Sequence, residues 1–160
     1  MKMVPSRLRS HERIQYSKIT PYIFVGTSLC CGVHSSILKK LGVSVDIDFE
    51  YEHADAFEKP EMEITLFLPT RDRHAPTQSQ LAAGVALIEQ ALAAQKRIYV
   101  HCKNGHGRAP TLAAAYFTTK GMSPEEAVAF LRRKRPVVHL NREQMAALNK
   151  FSKTRHAKRS

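Results

Sequence analysis

A chain of 160 residues is long enough for one domain of ordinary size to bury a core without disulfides or a structural metal. With 25 basic and 14 acidic residues, its net charge of +11 favours anionic partners through long-range attraction. No apolar run approaches the roughly 20 residues that a membrane span needs, and three cysteines make a poor disulfide framework, which favours a reducing, cytoplasmic location.

Both ends of the chain are basic. The first residues, MKMVPSRLRSHER, lack the apolar stretch of a secretory signal. A mitochondrial transit peptide is the alternative, but Glu12 and the short length favour a plain solvated tail. The run RRKR (132–135) and the C-terminal tail are candidates for binding nucleic acid or anionic lipid. Because charge runs are mostly solvated faces and no aromatic residues interleave with these, we expect no stable nucleic-acid partner and at most weak association with anionic membranes.

Short apolar runs bounded by Gly or Pro predict strands in the first hundred residues, separated by one early helix. In chain order these segments are a strand YIFV (22–25) ended by Gly26, a helix closing in ILKKLG (37–42), and strands VSVDI (43–47), EITLFL (63–68, stopped by Pro69) and RIYVH (97–101).

Three pairs of capping-box type, each a Ser, Thr or Asn followed three residues later by Gln or Glu, predict helix starts. The pairs are Thr77 with Gln80, Ser123 with Glu126, and Asn141 with Gln144. The second of these helices should stop near Arg135, before Pro136. Strands interleaved with helices predict a single three-layer α/β domain, with a largely parallel or mixed central sheet flanked by helices.

The segment VHCKNGHGRAP (100–110) lies between the predicted strand 97–101 and a helix that begins near Arg108. Ligands bind in such crevices of open α/β sheets. Gly105 and Gly107 allow positive φ and close backbone approach, so successive N–H groups can converge on an anion. The helix N-terminus and the planar fork of Arg108 both suit phosphate.

The same positive field stabilises a thiolate at Cys102, because cations and helix N-termini favour the ionised form of a thiol. A thiolate and a bound phosphate in one cradle imply attack of sulfur on phosphorus, which gives a cysteinyl-phosphate that water later hydrolyses. The departing oxygen needs a proton, so a carboxylic acid should reach the loop from another segment.

The loop and its neighbouring segments together resemble a known protein family. His101, Cys102, five further residues and Arg108, in HCKNGHGR, are similar to the signature of the cysteine-based protein-tyrosine phosphatase superfamily. The segments ITPYIFVG, LGVSVDID, LPTRDRHAPT, SPEEAVAFLRRKRP and LNREQMAALNKF resemble its small atypical dual-specificity phosphatases, in the same order. The resemblance covers residues 16–152, which it implies are the catalytic domain between basic tails at 1–15 and 153–160.

This resemblance implies a role for each matching residue. Cys102 would be the nucleophile, Arg108 would bind the phosphate and stabilise the transition state, and His101 would order the loop and help hold the thiolate. Asp72, thirty positions before Cys102, matches the general acid. The phosphate pocket would be lined by Lys103, Asn104, Gly105, His106, Gly107 and Arg108.

One residue departs from the family pattern. Ala109 stands where the family usually has Ser or Thr, whose hydroxyl assists the sulfur as leaving group. Thr111 faces elsewhere on the helix, so the second chemical step is expected to be slow. Asp48 and Asp46 are the reserve candidates for the general acid.

The function expected from sequence is metal-independent hydrolysis of phosphotyrosine, phosphoserine or phosphothreonine in proteins, by a monomer without cofactor. One alternative is a phosphatase of lipid headgroups, such as a phosphoinositide or phosphatidylglycerophosphate, and the basic Lys103 and His106 favour this alternative. The other is an inactive phosphate-binding pseudophosphatase. In CCGVH, the adjacent Cys30 and Cys31 with His34 suit a metal poorly. The two cysteines are expected to pack beside a helix. The alternative is a redox role, in which one of them forms a disulfide with oxidised Cys102.

Overall fold

The computed structural model describes residues 13–29, 32–52 and 62–157. The strands there are β1 (Tyr16–Lys18), β2 (Ile23–Gly26), β3 (Val43–Glu50), β4 (Ile64–Thr70) and β5 (Arg97–His101). The helices are α1 (Gly32–Lys40), α2 (Gln78–Ala93), α3 (Arg108–Thr118), α4 (Pro124–Lys134) and α5 (Arg142–Ala157).

The five strands form one mixed sheet in the order β1-β2-β5-β3-β4. β1 pairs antiparallel with β2, and the other neighbours are parallel, so β5 lies in the centre between β2 and β3. Parallel neighbours bring the carboxyl ends of β2, β3, β4 and β5 to one edge of the sheet. That edge is where the loop after β5 begins.

Helices cover both faces of the sheet, which confirms the predicted three-layer α/β domain. Val45, Ile47 and Phe49 of β3 are fully buried in the larger core, which is completed by α2, α3, α4 and α5. On the opposite face α1 buries Leu38 against Phe24 and Tyr99. Within the described ranges, no helix combines the length and apolar character needed to cross a lipid bilayer.

The helix starts follow the predicted caps. The side chains of Thr77 and Ser123 each accept a hydrogen bond from the backbone N–H three residues later. The side chains of Gln80 and Glu126 in turn accept from the backbone N–H of Thr77 and Ser123. Asn141 and Gln144 exchange the same pair of bonds, at 2.9 and 3.1 Å. These three predictions are confirmed, because a cap depends only on residues within one helical turn.

Several predicted boundaries are corrected by the structure. β3 continues three residues beyond 47, to Glu50, and α5 extends to Ala157, so residues 153–157 are helical and not a tail. Pro69 lies inside β4 and does not stop it. β4 is an edge strand, and its register to β3 shifts between the pairs Asp48–Phe67 and Glu50–Thr70. Proline, which has no backbone N–H to donate, is tolerated at such an edge and at such a bulge.

Candidate active site

The phosphate loop, residues 102–108, joins β5 to α3 at the carboxyl edge of the sheet. Cys102 is buried at the end of β5, and its Sγ accepts a hydrogen bond from the Gly105 N–H at 3.3 Å. Gly105 has a φ of 65°, and a Cβ there would lie 2.6 Å from the carbonyl oxygen of Gly26. The turn that aims this N–H at the sulfur therefore requires glycine.

Arg108 begins α3 and is buried under the loop. Its Nη1 donates to the carbonyl oxygen of Thr70 at 2.7 Å and to Glu52 at 3.0 Å, and its Nη2 lies 3.2 Å from Asp72 Oδ1. Burial lowers the pKa of Arg108, but the bond to Glu52 and the charges of Cys102, Glu52 and Asp72 outweigh burial and raise it. The guanidinium is therefore charged and fixed in direction before any ligand binds.

Glu52 was not identified from the sequence, although it lies on the segment that continues from β3. Burial raises its pKa, but the hydrogen bond from Arg108 and the charges of Arg108 and Lys103 lower it overall, below the ordinary value of a glutamic acid. Glu52 is thus an anionic partner that holds the guanidinium from the side of β3. No local motif marks it, because its partner lies 56 residues along the chain.

Arg135 supports the phosphate loop from behind. Its Nε donates to the carbonyl oxygen of Gly105 at 2.9 Å and its Nη2 to that of Asn104 at 3.1 Å, and its Nη1 reaches Ser17 Oγ at 3.4 Å. Arg135 thereby binds two carbonyl oxygens of the loop and fixes the backbone on either side of the Gly105 N–H that donates to Cys102 Sγ. The RRKR run is expected to be a solvated face, but its last arginine, Arg135, is buried.

Asp72 follows β4 on a loop that the first turn of α5 holds in place. Asn141 Nδ2 donates to the carbonyl oxygen of Arg73 at 2.6 Å, and Gln144 Nε2 donates to that of His74 at 3.1 Å. Arg73 has a φ of 64°, which is strained for a residue other than glycine. The two amides therefore do more than cap their helix, since they also fix the loop that carries Asp72 beside Arg108.

His101 lies on the other face of β5, where its ring stacks on Tyr99 with centroids 5.3 Å apart. Asp46 and Asp48, the reserve candidates for the general acid, are buried beside this ring and do not line the active-site cavity. Among the residues described, Asp48, Glu50 and His101 are also the one group whose donor atoms lie close enough to share a metal ion. Since Asp48 accepts the Glu50 N–H at 2.7 Å and faces the imidazole, we interpret the group as a buried ion-pair network.

A cavity of about 350 Å³ opens over the loop. Its lining comprises Asp72, Arg73, Cys102, Asn104, His106, Gly107, Arg108, His139, Asn141 and Gln144. The rings of His106 and His139 have centroids 5.3 Å apart, and the backbone N–H of His139 donates to the carbonyl oxygen of His106 at 3.0 Å. Burial, His139 and Arg135 lower the pKa of His106 against the opposing charge of Asp72, so the His106 ring is largely neutral at pH 7.

The cavity thus brings together most of the site residues predicted from sequence. Two predicted pocket residues do not line the cavity: Gly105 is buried within the loop, and Lys103 is exposed with its carbonyl accepting the Ser28 N–H. The Thr111 hydroxyl donates to the Gly107 carbonyl at 2.7 Å, so it serves the helix and not the sulfur, as expected. Cys30 and Cys31, with their predicted packing or redox role, lie outside the described residues.

This arrangement has recognisable relatives. Residues 23–154 match the family described as dual specificity phosphatase, catalytic domain. Phosphatidylglycerophosphate phosphatase PTPMT2 of Arabidopsis thaliana is 34% identical over 123 residues, which are 72% of this chain and 54% of that protein. Human dual specificity protein phosphatase 1 is 25% identical over 136 residues, 84% of this chain and 36% of that protein. The chain thus spans about half of the first relative's length and about a third of the second's.

The fold comparison agrees with the sequence comparison. The crystal structure of PTPMT1 in complex with PI(5)P matches this structure with a TM-score of 0.82 at 26% identity, and the match covers 91% of this chain and 99% of that one. Sheet, flanking helices and loop therefore correspond over almost the whole length of both chains.

Proposed function

Because the chain belongs to the dual-specificity phosphatase catalytic-domain family, we propose that it hydrolyses phosphate monoesters through a cysteinyl-phosphate on Cys102. The observation that carries this proposal is the meeting of three groups at one cavity: the Cys102 sulfur, the guanidinium of Arg108 and the carboxylate of Asp72. Nucleophile, oxyanion stabiliser and proton donor are the three groups that the reaction needs.

In the first step, Cys102 Sγ attacks phosphorus while the bond from phosphorus to the ester oxygen breaks. Asp72, in its protonated form, gives its proton to the departing oxygen, so the leaving group departs as an alcohol. Arg108 and the loop N–H groups hold the equatorial oxygens of the phosphoryl group. In the second step water attacks phosphorus, Asp72 takes a proton from the water, and the thiolate is released with inorganic phosphate.

The walls of the cavity favour a polar substrate. Its lining within the described chain contains no aliphatic side chain and no phenyl or phenol ring, and it offers amides, imidazoles and two guanidinium groups. A phosphotyrosine ring would gain little from such walls, whereas the hydroxyls of a glycerol or inositol headgroup would find donors and acceptors. We therefore propose a lipid-headgroup phosphomonoester as the substrate class. The similarity to the phosphatidylglycerophosphate phosphatase PTPMT2 and to PTPMT1 in complex with PI(5)P supports this choice.

Phosphoprotein is the second candidate, and it was the first expectation from sequence. Tyr51 is exposed next to Glu52, and the Arg71 guanidinium lies 5.4 Å from the centre of its ring. An exposed aromatic residue beside the site residues could stack on the ring of a phosphotyrosine. The likeness to dual specificity protein phosphatase 1 over 84% of this chain also supports this candidate.

The two substrates are separated by kcat/KM on short-chain phosphatidylglycerophosphate and on a phosphotyrosine peptide. We expect the lipid to be the preferred substrate. His139→Ala should lower kcat/KM for the lipid about tenfold, which is the effect of losing one hydrogen bond to a charged ligand. The matched variant Tyr51→Ala should affect only the peptide. A preference of the parent protein for the peptide would favour the second candidate.

The same assay tests the mechanism. Cys102→Ser should abolish turnover of both substrates, and a protein that binds phosphate analogues without any turnover would be the pseudophosphatase. We further propose that the enzyme acts as a monomer without metal. Chelators should leave its rate unchanged, and a loss reversed by added zinc would contradict this part of the proposal.

A further inference from the structure

The ring of His101 lies between two buried carboxylates of the neighbouring strand. Its Nε2 is 3.2 Å from Asp46 Oδ1, and its Nδ1 is 3.7 Å from Asp48 Oδ1. The pairing of β3 with β5 puts Asp48 opposite His101 and Asp46 opposite Tyr99, on which the imidazole stacks. The three side chains of the His101–Asp46–Asp48 triad are at most 6% exposed.

This placement selects one protonation state of the ring. A neutral imidazole has one N–H and one lone pair, so it can satisfy one carboxylate while its lone pair repels the other. An imidazolium presents a proton to each. Neither ring nitrogen nor Asp46 Oδ1 has a hydrogen bond of regular geometry among the described residues, so the attraction is mainly ionic. A buried charge of this kind needs its counter-charges close by.

The carboxylates around the ring act in the same direction. Burial lowers the pKa of His101, but the charge of Asp46 and its contact with the ring, followed by the charges of Asp48 and Glu50, outweigh burial and raise it. Tyr99 stacks as a neutral phenol, because burial and the charge of Asp46 raise its pKa. α1, which covers this face, contributes His34 as its buried titratable side chain.

We propose that Asp46 is a positioning residue for the nucleophile: together with Asp48 it holds His101 as an imidazolium behind Cys102, and this fixed cation stabilises the thiolate. The inference rests on the proposed function, because it takes Cys102 to be the nucleophile. Successive residues of a strand face opposite sides, so the imidazolium and the sulfur do not touch, and the charge acts across the backbone of β5.

Alkylation of Cys102 tests the proposal without any turnover. The rate of reaction with neutral iodoacetamide is followed from pH 4 to 9 by mass spectrometry of the Cys102 peptide, because only the thiolate reacts. Removing Asp46 has two opposite effects: it removes an anion, which favours the thiolate, and it releases the proton of His101, which disfavours it. The direction of the change in Asp46→Asn therefore distinguishes a positioning role from simple repulsion.

We expect the midpoint of the alkylation profile to rise by about one pH unit in Asp46→Asn, which makes the reaction about tenfold slower at low pH. In a His101→Gln background the same substitution should have no such effect. The matched control is Glu89→Gln, which removes a carboxylate paired with Lys120 and should leave the profile unchanged. A lowered midpoint in Asp46→Asn would overturn the proposal.

Nuclear magnetic resonance of the parent protein gives a second readout, which needs no variant to fold. Long-range proton–nitrogen correlation should show both ring nitrogens of His101 protonated at pH 8. A single protonated nitrogen at pH 8 would overturn the proposal. Because neither measurement uses a phosphorylated substrate, both decide the role of Asp46 even if the protein hydrolyses no phosphate ester.

Discussion

Substitution of Ala109 by serine tests how the phosphocysteine is released. Ala109 lies fully buried in the first turn of α3, and the Gly105 N–H, at 3.3 Å, is the one hydrogen bond to Cys102 Sγ among the described residues. The departing sulfur therefore has no hydroxyl from the described part of the chain to stabilise its negative charge, because the Thr111 hydroxyl donates to the Gly107 carbonyl instead. Breakdown of the phosphoenzyme should then limit turnover, and rapid quenching should show a burst of product before a slow steady rate.

Ala109→Ser should raise the steady rate and leave the burst rate nearly unchanged, because the hydroxyl acts after phosphorus has moved to sulfur. A hydrogen bond to a charged group contributes about 1.5–3 kcal/mol, which corresponds to a gain of roughly one to two orders of magnitude. Ala113→Ser, one turn further along the same buried helix, controls for the cost of burying a hydroxyl. Absence of a burst in the parent, with no gain in Ala109→Ser, would refute the reasoning.

Three further substitutions probe the acid and the loops. Asp72→Asn should slow esters of high-pKa alcohols by about 10²–10⁴-fold and spare an activated aryl ester; equal losses on both would mean that Asp72 is structural. Asn141→Ala removes a helix cap and the hydrogen bond that holds the Arg73 carbonyl, so thermal melting should show about 1 kcal/mol less stability. The kcat for esters with high-pKa leaving groups should also fall. An unchanged kcat would show that Asn141 serves only as a helix cap. Gly105→Ala drives a Cβ against the Gly26 carbonyl at positive φ, and calorimetry should detect no vanadate binding; binding at parental affinity would contradict the turn geometry.

The phosphate loop could be predicted from sequence because its chemistry is local. The residues from Cys102 to Arg108 are contiguous, and the glycine that the turn requires lies within them at a φ of 65°. Helix caps were predictable for the same reason. Spacing and resemblance predict Asp72 as the general acid, and the structure puts Asp72 Oδ1 3.2 Å from Arg108 Nη2.

The supporting residues could not be predicted, because their partners are distant in sequence. Arg135 binds carbonyls 30 and 31 residues away, and nothing in RRKR distinguishes it from its three exposed neighbours. Glu52 and Asn141 reach partners 56 and 68 residues away. The three-residue strand β1 has no apolar alternation of its own and exists because it pairs with β2.

The contacts of Asp72 reconcile two demands on a general acid. Before substrate arrives, its carboxylate lies 3.2 Å from Arg108 Nη2 and forms an ion pair with it. The proposed reaction needs the protonated form, and a phosphate dianion on Arg108 displaces that pairing and makes a second anion beside it unfavourable. If the ion pair alone held Asp72, protonation would release it. The loop is held instead through the carbonyls of Arg73 and His74 by Asn141 and Gln144. These amides carry no charge, so Asp72 can take up a proton and keep its position.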